Sequence, residues 1–160
     1  QVLVHRDFHS RNLMVLEDRQ LAVIDFQDAV IGPITYDPVS LLKDCYIAWP
    51  RERQLAWLGQ HQQLLSESGL LAPVSTTTFV RWFDLMGLQR HIKVLGVFAR
   101  LSLRDNKHDY LEDLPLVLFY TREAMALYRQ EIPQVADFEA WFDAILMPRI
   151  ESQPWYRQIP

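Results

Sequence analysis

The chain has 160 residues, of which 49% are hydrophobic and 22% are charged, and its formal net charge at pH 7 is −4. This length and composition are ordinary for one compact globular domain with a hydrophobic core. The acidic balance and the lack of any run of Lys or Arg argue against a surface that binds nucleic acid. The single cysteine, Cys45, excludes an internal disulfide and a cysteine-rich metal site. Because no signal peptide or long apolar span is present, we expect a cytoplasmic protein that has no membrane partner.

The first 36 residues are predicted to form strands and loops. Two short β-favouring runs, at residues 13–16 and 21–24, surround the polar turn 17–20 and indicate a hairpin. If Leu16 pairs with Leu21 across this turn, the same register places Asn12 opposite Asp25. Their side chains would then be direct cross-strand neighbours, with Cβ atoms about 4.5–5.5 Å apart.

The rest of the chain has the pattern of a helical bundle. Asp37 followed by Pro38 is typical of a helix N-cap and the first helical residue. Helices are expected at about residues 38–48, 51–68, 76–104, 114–130 and 136–150. The third of these carries an apolar stripe that should face the core, formed by Phe79, Phe83, Met86, Ile92, Leu95 and Phe98. The predicted fold class is therefore α+β and mostly helical, a short β-hairpin followed by about five helices in one domain.

The chemistry is concentrated in residues 5–12, which read HRDFHSRN, and in the Asp25-Phe26 pair that follows the hairpin. An amide oxygen from Asn12 and a carboxylate from Asp25 are the kind of oxygen ligands that suit Mg²⁺. Asp7 lies in the loop before Asn12 and can project beside such a site. One acid beside two metal ligands is what phosphoryl transfer requires, because the ion neutralises phosphate charge and the acid accepts the proton of the attacking hydroxyl.

With the pattern H-x-D-x-x-x-x-N and then D-F, this segment resembles the catalytic loop and metal motif of the aminoglycoside phosphotransferase and choline kinase superfamily, relatives of the protein kinases. The resemblance implies that Asp7 is the catalytic base and that Asn12 and Asp25 bind magnesium. It also implies structural roles in the catalytic loop for His5 and Asp37. ATP and Mg²⁺ are the implied cofactors.

Two longer stretches resemble one particular group of kinases within this superfamily. Residues 24–46 and 88–101 are similar to bacterial kinases that phosphorylate the anomeric hydroxyl of N-acetylmuramate and N-acetylglucosamine in cell-wall recycling. An amino sugar is therefore the expected small-molecule acceptor, and aminoglycosides or other small alcohols are the alternative within the superfamily. Gln27 stands where protein kinases carry glycine, so a protein-kinase-like flip of this motif is not expected.

In this superfamily a nucleotide-binding lobe precedes the catalytic loop, whereas only Gln1, Val2, Leu3 and Val4 precede His5 here. We therefore expect the chain to be the C-terminal lobe alone. Its catalytic loop and metal hairpin would occupy residues 1–36, and a helical substrate-binding subdomain would occupy residues 37–160. The absent N-terminal lobe of the same protein is then an expected partner, and the chain by itself is expected to bind ATP weakly and to be inactive.

The acceptor pocket is harder to locate from the sequence. Asp84 and His91 share one face of the long helix and could hydrogen-bond sugar hydroxyls. Arg90 on the same helix and Asp28 after the metal motif are further candidates for substrate binding. Each of these residues could equally belong to a solvated surface, which is the ordinary role of charges at helical spacing.

Two other classes of protein remain open at this point. His5, Asp7 and His9 alternate in the sequence, so on an extended strand they would share one face and could bind the metal of a hydrolase. That reading leaves Asn12 and Asp25 without a role. The second alternative is a binding module that keeps the kinase fold without its chemistry.

Overall fold

The computed structural model describes residues 1–159 and confirms a mostly helical α+β fold. The strands are β1 (Val2–Val4), β2 (Leu13–Val15), β3 (Leu21–Val23) and β4 (Val30–Gly32). The α-helices are α1 (Tyr36–Leu42), α2 (Arg51–Glu67), α3 (Thr76–Asp105), α4 (Leu114–Tyr128), α5 (Pro133–Trp141) and α6 (Met147–Glu151). A π-helical turn over Phe142–Leu146 joins the last two.

The strands form two small antiparallel sheets, β1 with β4 and β2 with β3. The β2–β3 hairpin was predicted, but its register is shifted by one residue, since Leu13 pairs with Val23 and Val15 with Leu21. The Leu16 N–H donates to the Gln20 carbonyl at 2.9 Å, so the loop holds three residues instead of four. Arg19 closes this loop with a left-handed φ of 62°, as in three-residue hairpin loops. As a result, Asn12 is opposite Ile24, and the predicted pairing of Asn12 with Asp25 is wrong.

The helices lie near the predicted positions, but α1 ends at Leu42 instead of about residue 48, and the helix predicted over 136–150 is divided into α5, the π-helical turn and α6. The first begins at Tyr36 with Thr35 at its N-cap, so the N-cap role suggested for Asp37 is wrong. The second helix ends just before Gly69, as predicted, and Gly69 has a φ of +72°. The Gly69 N–H donates to the Ser66 carbonyl, and the Leu70 N–H donates to the Leu65 carbonyl. These two bonds form a Schellman motif, which satisfies carbonyls at the helix end.

The chain divides into two compact units, the first over Gln1–Met86 and the second beginning at Gly87. The core of the first unit comes from helices, and its buried members are Val39, Leu42, Leu58, Phe79 and Phe83. The strands contribute few buried side chains to this unit.

A buried ion cluster links three helical segments of the first unit. The Asp84 carboxylate on α3 accepts hydrogen bonds from the Arg51 guanidinium at 2.8 and 2.6 Å. Lys43, which follows α1, lies 3.4 Å from the same carboxylate, and both side chains are almost fully buried. The Lys43 ammonium is also 5.5 Å from the centre of the Phe83 ring. Asp84 therefore compensates buried positive charge at the junction of the helices.

The second unit has its own core, to which Leu88, Leu118, Met125, Phe142 and Met147 contribute. Ile92 is 39% exposed, so the predicted core stripe is wrong at this position because Leu88, His91 and Leu95 form the inner face of the helix there. None of the helices within residues 1–159 combines the length and the apolar character that a membrane span requires.

Candidate active site

The loop of residues 5–12 leaves β1 through an unusual backbone conformation. Arg6 has a φ of +77°, in the left-handed region that costs a non-glycine residue about 1–2 kcal/mol. The chain then turns tightly, because the His9 N–H donates to the Asp7 carbonyl and the Asn12 N–H donates to the His9 carbonyl. A short 3₁₀ turn over Ser10–Asn12 leads directly into β2. This path holds the residues around Asp7 in a compact loop.

Asp37 fixes the strained start of this loop. One oxygen of its carboxylate accepts the His5 N–H at 2.8 Å, and the other accepts the Arg6 N–H at 3.0 Å. Hydrogen bonds to an ionised acceptor are stronger than neutral ones. The Ser40 hydroxyl adds a bond to the Arg6 carbonyl at 3.1 Å. Helix α1 thus secures the backbone at its left-handed residue, which is the contact that a bracing role for Asp37 requires.

His5 connects the loop to the hairpin. Its Nε2 lies 2.9 Å from the carbonyl oxygen of Ile24, and a carbonyl can only accept, so Nε2 carries the proton. The His5 ring also meets the Phe8 ring edge-on at 6.0 Å between centroids. Ile24 immediately precedes Asp25, so His5 holds the backbone that presents the second predicted metal ligand. These contacts are those of a structural histidine.

Asn12 and Asp25 come together despite the shifted register. Asp25 has a left-handed φ of +66°, which redirects its side chain at the end of β3. The Asn12 Nδ2 lies 3.4 Å from one Asp25 carboxylate oxygen, and the Gln27 Nε2 lies 2.5 Å from the other. The Asn12 Nδ2 also donates to the Asp7 carbonyl at 2.9 Å. This network joins the residues of the proposed base and both proposed metal ligands.

The donor groups in this network fit a magnesium ion. Because the Asn12 nitrogen is engaged by Asp7, the oxygen of the same amide is the atom left for a cation. Asp25 adds an exposed carboxylate within 3.4 Å of that amide. Magnesium typically takes only one or two carboxylates from the protein and completes its octahedron with water and phosphate oxygens. One amide oxygen and one carboxylate form a donor set of that kind.

The hydrolase alternative does not fit the structure. Strand β1 ends at Val4 and Arg6 adopts a left-handed conformation, so His5, Asp7 and His9 do not lie along an extended strand. Within residues 1–159, no group of three or more His, Cys, Asp or Glu side chains is arranged to hold a metal ion. The alternation in the sequence therefore does not produce a three-residue metal site.

The four residues suggested for acceptor binding lie in different surroundings. Asp28 is exposed, and its carbonyl accepts a long hydrogen bond of 3.4 Å from the Arg6 side chain. Asp84 is inside the buried ion cluster with Lys43 and Arg51, where a structural role accounts for its carboxylate. Arg90 and His91 belong to the second unit and are both buried.

His91 stacks on Tyr120, with ring centroids 5.2 Å apart and an angle of 19° between the planes. The contact buries both rings inside the second unit, His91 at 3% and Tyr120 at 1% exposure. A substrate-binding role for Arg90 and His91 stays a prediction.

A cavity beside the catalytic loop was not predicted. Its volume is about 530 Å³, within the range typical of small-molecule sites. Phe8 and Ser10 of the loop contribute to its wall, together with Trp49, Trp57 and His61 from the region of α2. Burial lowers the pKa of His61 below its usual value. The sequence gives no local signal that Trp49 and Trp57 border a cavity, because the cavity forms only when the loop and the helix come together.

Comparisons with known proteins show which sequences this chain resembles. Residues 1–74 match the family described as "Phosphotransferase enzyme family". The chain is 42% identical over 144 residues to the N-acetylmuramate/N-acetylglucosamine kinase of Pseudomonas putida. The matched region covers 90% of this chain and 42% of that protein. The proteins of the same name from Neisseria meningitidis and Pseudomonas aeruginosa are 45% and 43% identical over 85% and 88% of this chain. The chain spans about two fifths of the length of these curated relatives.

Proposed function

Because residues 1–74 belong to the phosphotransferase enzyme family, we propose that the full-length protein containing this chain is a kinase that transfers a phosphoryl group from ATP to a hydroxyl of a small molecule. The observation that carries the proposal is the hydrogen-bonded network of Asp7, Asn12 and Asp25. The Asp7 carbonyl and the side chains of Asn12 and Asp25 meet in this network, which supports the set of one acid and two oxygen ligands that phosphoryl transfer requires.

In this proposal each residue has a separate task. Asp7 accepts the proton of the acceptor hydroxyl as that oxygen attacks the phosphorus. Asn12 and Asp25 hold Mg²⁺, which when bound neutralises charge on the phosphate oxygens. Asp37 and His5 keep the loop and the hairpin end in register with each other, so that the acid and the ligands stay in position.

The acceptor we propose is an amino sugar. Three relatives at 42–45% identity carry the name N-acetylmuramate/N-acetylglucosamine kinase, which supports these two sugars as acceptors for this protein. We propose the anomeric hydroxyl as the site of phosphorylation and the cytoplasm as the location of the enzyme.

The strands support a further partner, the nucleotide-binding part of the same protein. Large apolar side chains are exposed on the strands, including Leu3 at 70%, Val15 at 71% and Ile31 at 67%, and Phe26 in the loop after β3 is 67% exposed. Extended exposed apolar surface is typical of an interaction site. Val15 and Phe26 lie on the hairpin and loop that present Asn12 and Asp25, so a lobe that covered them would be well placed to deliver ATP.

Purified full-length protein incubated with Mg-ATP and each sugar tests the proposal. We expect ADP release that depends on N-acetylmuramate or N-acetylglucosamine, and none with the 1-O-methyl glycoside of either sugar. Equal phosphorylation of the blocked sugar would contradict the anomeric position. Activity on aminoglycosides alone would contradict the amino-sugar assignment but leave the kinase assignment intact.

A further inference from the structure

Arg11 is an exposed arginine inside the catalytic loop, between Asp7 and Asn12. Its guanidinium carbon lies 3.5 Å from the centre of the Tyr46 ring, so the planar group rests against the face of the aromatic ring. Among residues 1–159, no carboxylate or other acceptor bonds to this guanidinium. Arg11 is therefore a positioned cation whose hydrogen-bond donors are not used within the described chain.

Tyr46 is itself held in place. It lies in the segment between α1 and α2, and the His9 ring meets it edge-on at 5.8 Å between centroids. Two residues of the catalytic loop thus contact one tyrosine. Burial raises the pKa of the Tyr46 phenol above its usual value. The contact with His9 holds the ring that supports the guanidinium.

The direction of the Arg11 side chain separates it from the metal ligands. The neighbouring Asn12 side chain extends to the Asp7 carbonyl and to Asp25 on the hairpin. Arg11 extends instead to Tyr46, which follows helix α1. Ser10 and Ile47, the chain neighbours of Arg11 and Tyr46, line the cavity beside the catalytic loop, so Arg11 lies close to a space that an acceptor could occupy.

We propose that Arg11 binds a carboxylate of the acceptor sugar and thereby sets the preference between a carboxylate-bearing and a neutral amino sugar. A guanidinium stacked on an aromatic ring keeps the donors along its edge, which match the two oxygens of a carboxylate. Stacking also restricts the side chain before binding, so less conformational entropy is lost when the anion binds. The inference rests on the proposed kinase function and adds a specificity residue to it.

The test compares two sugars that differ by one carboxylate, N-acetylmuramate and N-acetylglucosamine, with the full-length protein. The measured quantity is the kcat/KM for N-acetylmuramate divided by the kcat/KM for N-acetylglucosamine. Loss of a bidentate, charge-assisted contact should lower this ratio roughly 10- to 100-fold in Arg11→Gln. Tyr46→Phe, which keeps the ring, should preserve the ratio, and Tyr46→Leu should lower it. Arg19→Gln, an exposed arginine in the hairpin loop, is the matched control and should leave the ratio unchanged.

The outcomes separate this inference from the function on which it rests. If wild-type protein phosphorylates neither sugar, the proposed function fails and the inference fails with it. If wild-type protein is active but Arg11→Gln lowers kcat/KM equally for both sugars, Arg11 acts on a part that both reactions share, such as the transferred phosphate, and the inference is wrong. An unchanged ratio in Arg11→Gln also overturns it.

Discussion

The Asn12 amide lies 3.4 Å from the Asp25 carboxylate although the two residues are not partners across the hairpin. The left-handed backbone of Asp25 brings the carboxylate back toward Asn12. A position one residue beyond the paired strand would otherwise direct the side chain elsewhere, since successive strand residues alternate in direction. The proposed metal-binding pair therefore depends on a strained residue as much as on strand pairing.

Asp25→Asn should change the metal dependence of the full-length enzyme. The substitution removes a negative charge from the proposed magnesium site while keeping the size of the side chain. We expect a higher Mg²⁺ concentration for half-maximal activity and partial recovery of activity in excess Mg²⁺. Titration of kcat against Mg²⁺ measures this, with Glu17→Gln in the exposed hairpin turn as control. An unaltered Mg²⁺ dependence would contradict the metal role.

Asp7→Asn should act on turnover instead. General-base catalysis typically contributes 10²- to 10⁴-fold, so kcat should fall by roughly that factor. The KM for ATP should change little if it tracks binding, because Asn12 and Asp25 are untouched. Steady-state kinetics at several Mg²⁺ concentrations measures both parameters. Recovery of Asp7→Asn activity by added metal would show that Asp7 is a ligand and not the base.

The sequence predicted the hairpin but not its register, and particular residues explain why. Alternating apolar residues and a polar turn are enough to predict two paired strands. The length of the loop depends on Arg19 adopting a left-handed conformation, and arginine carries no local signal for that conformation as glycine or asparagine would. The predicted neighbours still meet, because the left-handed backbone of Asp25 turns its carboxylate toward Asn12.

Non-local contacts were the least predictable part of the site. Asp84 has the helical spacing of a surface charge, yet its partners Lys43 and Arg51 are far away in the sequence. The same holds for Arg11 and Tyr46, and for Asp37 with the backbone of His5 and Arg6. Only the resemblance of the motif suggested that Asp37 braces the loop. Periodicity describes each helix separately and contains no information about which helices meet.

Asp37→Asn should impair both the loop and the stability of the chain. The asparagine NH₂ would face a backbone N–H, so one of the two charge-assisted hydrogen bonds is lost and the other is weakened. Hydrogen bonds to charged groups contribute about 1.5–3 kcal/mol each, so a loss of that order in the free energy of unfolding is expected. Denaturant unfolding of the chain measures the loss. The kcat of the full-length protein should fall in parallel. Asp137→Asn, an exposed carboxylate on α5, should change neither.

Asp84→Asn should destabilise the chain strongly. Removing one partner of a buried ion pair leaves an uncompensated charge, here on Lys43, and typically costs about 3–5 kcal/mol. Denaturant unfolding of the wild-type and variant chains measures the difference. The control is Asp105→Asn, whose exposed pairing with Arg104 should contribute little. If the Asp84→Asn variant is as stable as the wild type but loses sugar binding, the result would instead favour an acceptor-binding role for Asp84.

The stability of the chain should depend on pH through His61. Burial lowers the pKa of His61 in the folded state below its ordinary value of 6.5, so the unfolded chain binds the proton more readily. The full contribution is present above pH 6.5, and stability should fall as the pH decreases from there toward the folded-state pKa. His61→Gln should remove this part of the pH dependence. Urea unfolding of both proteins between pH 7.5 and pH 5 measures it, and identical profiles would contradict the assignment.

The open strands also have a consequence for handling the 160-residue chain by itself. Within the described residues each two-stranded sheet leaves one side of every strand without a backbone partner, and large apolar side chains such as Leu3 and Ile31 are exposed there. Unpaired strand edges beside apolar surface promote pairing between molecules. Light scattering of the isolated chain should therefore rise with protein concentration. Charged substitutions such as Leu3→Lys and Ile31→Lys should suppress that self-association without affecting the helices.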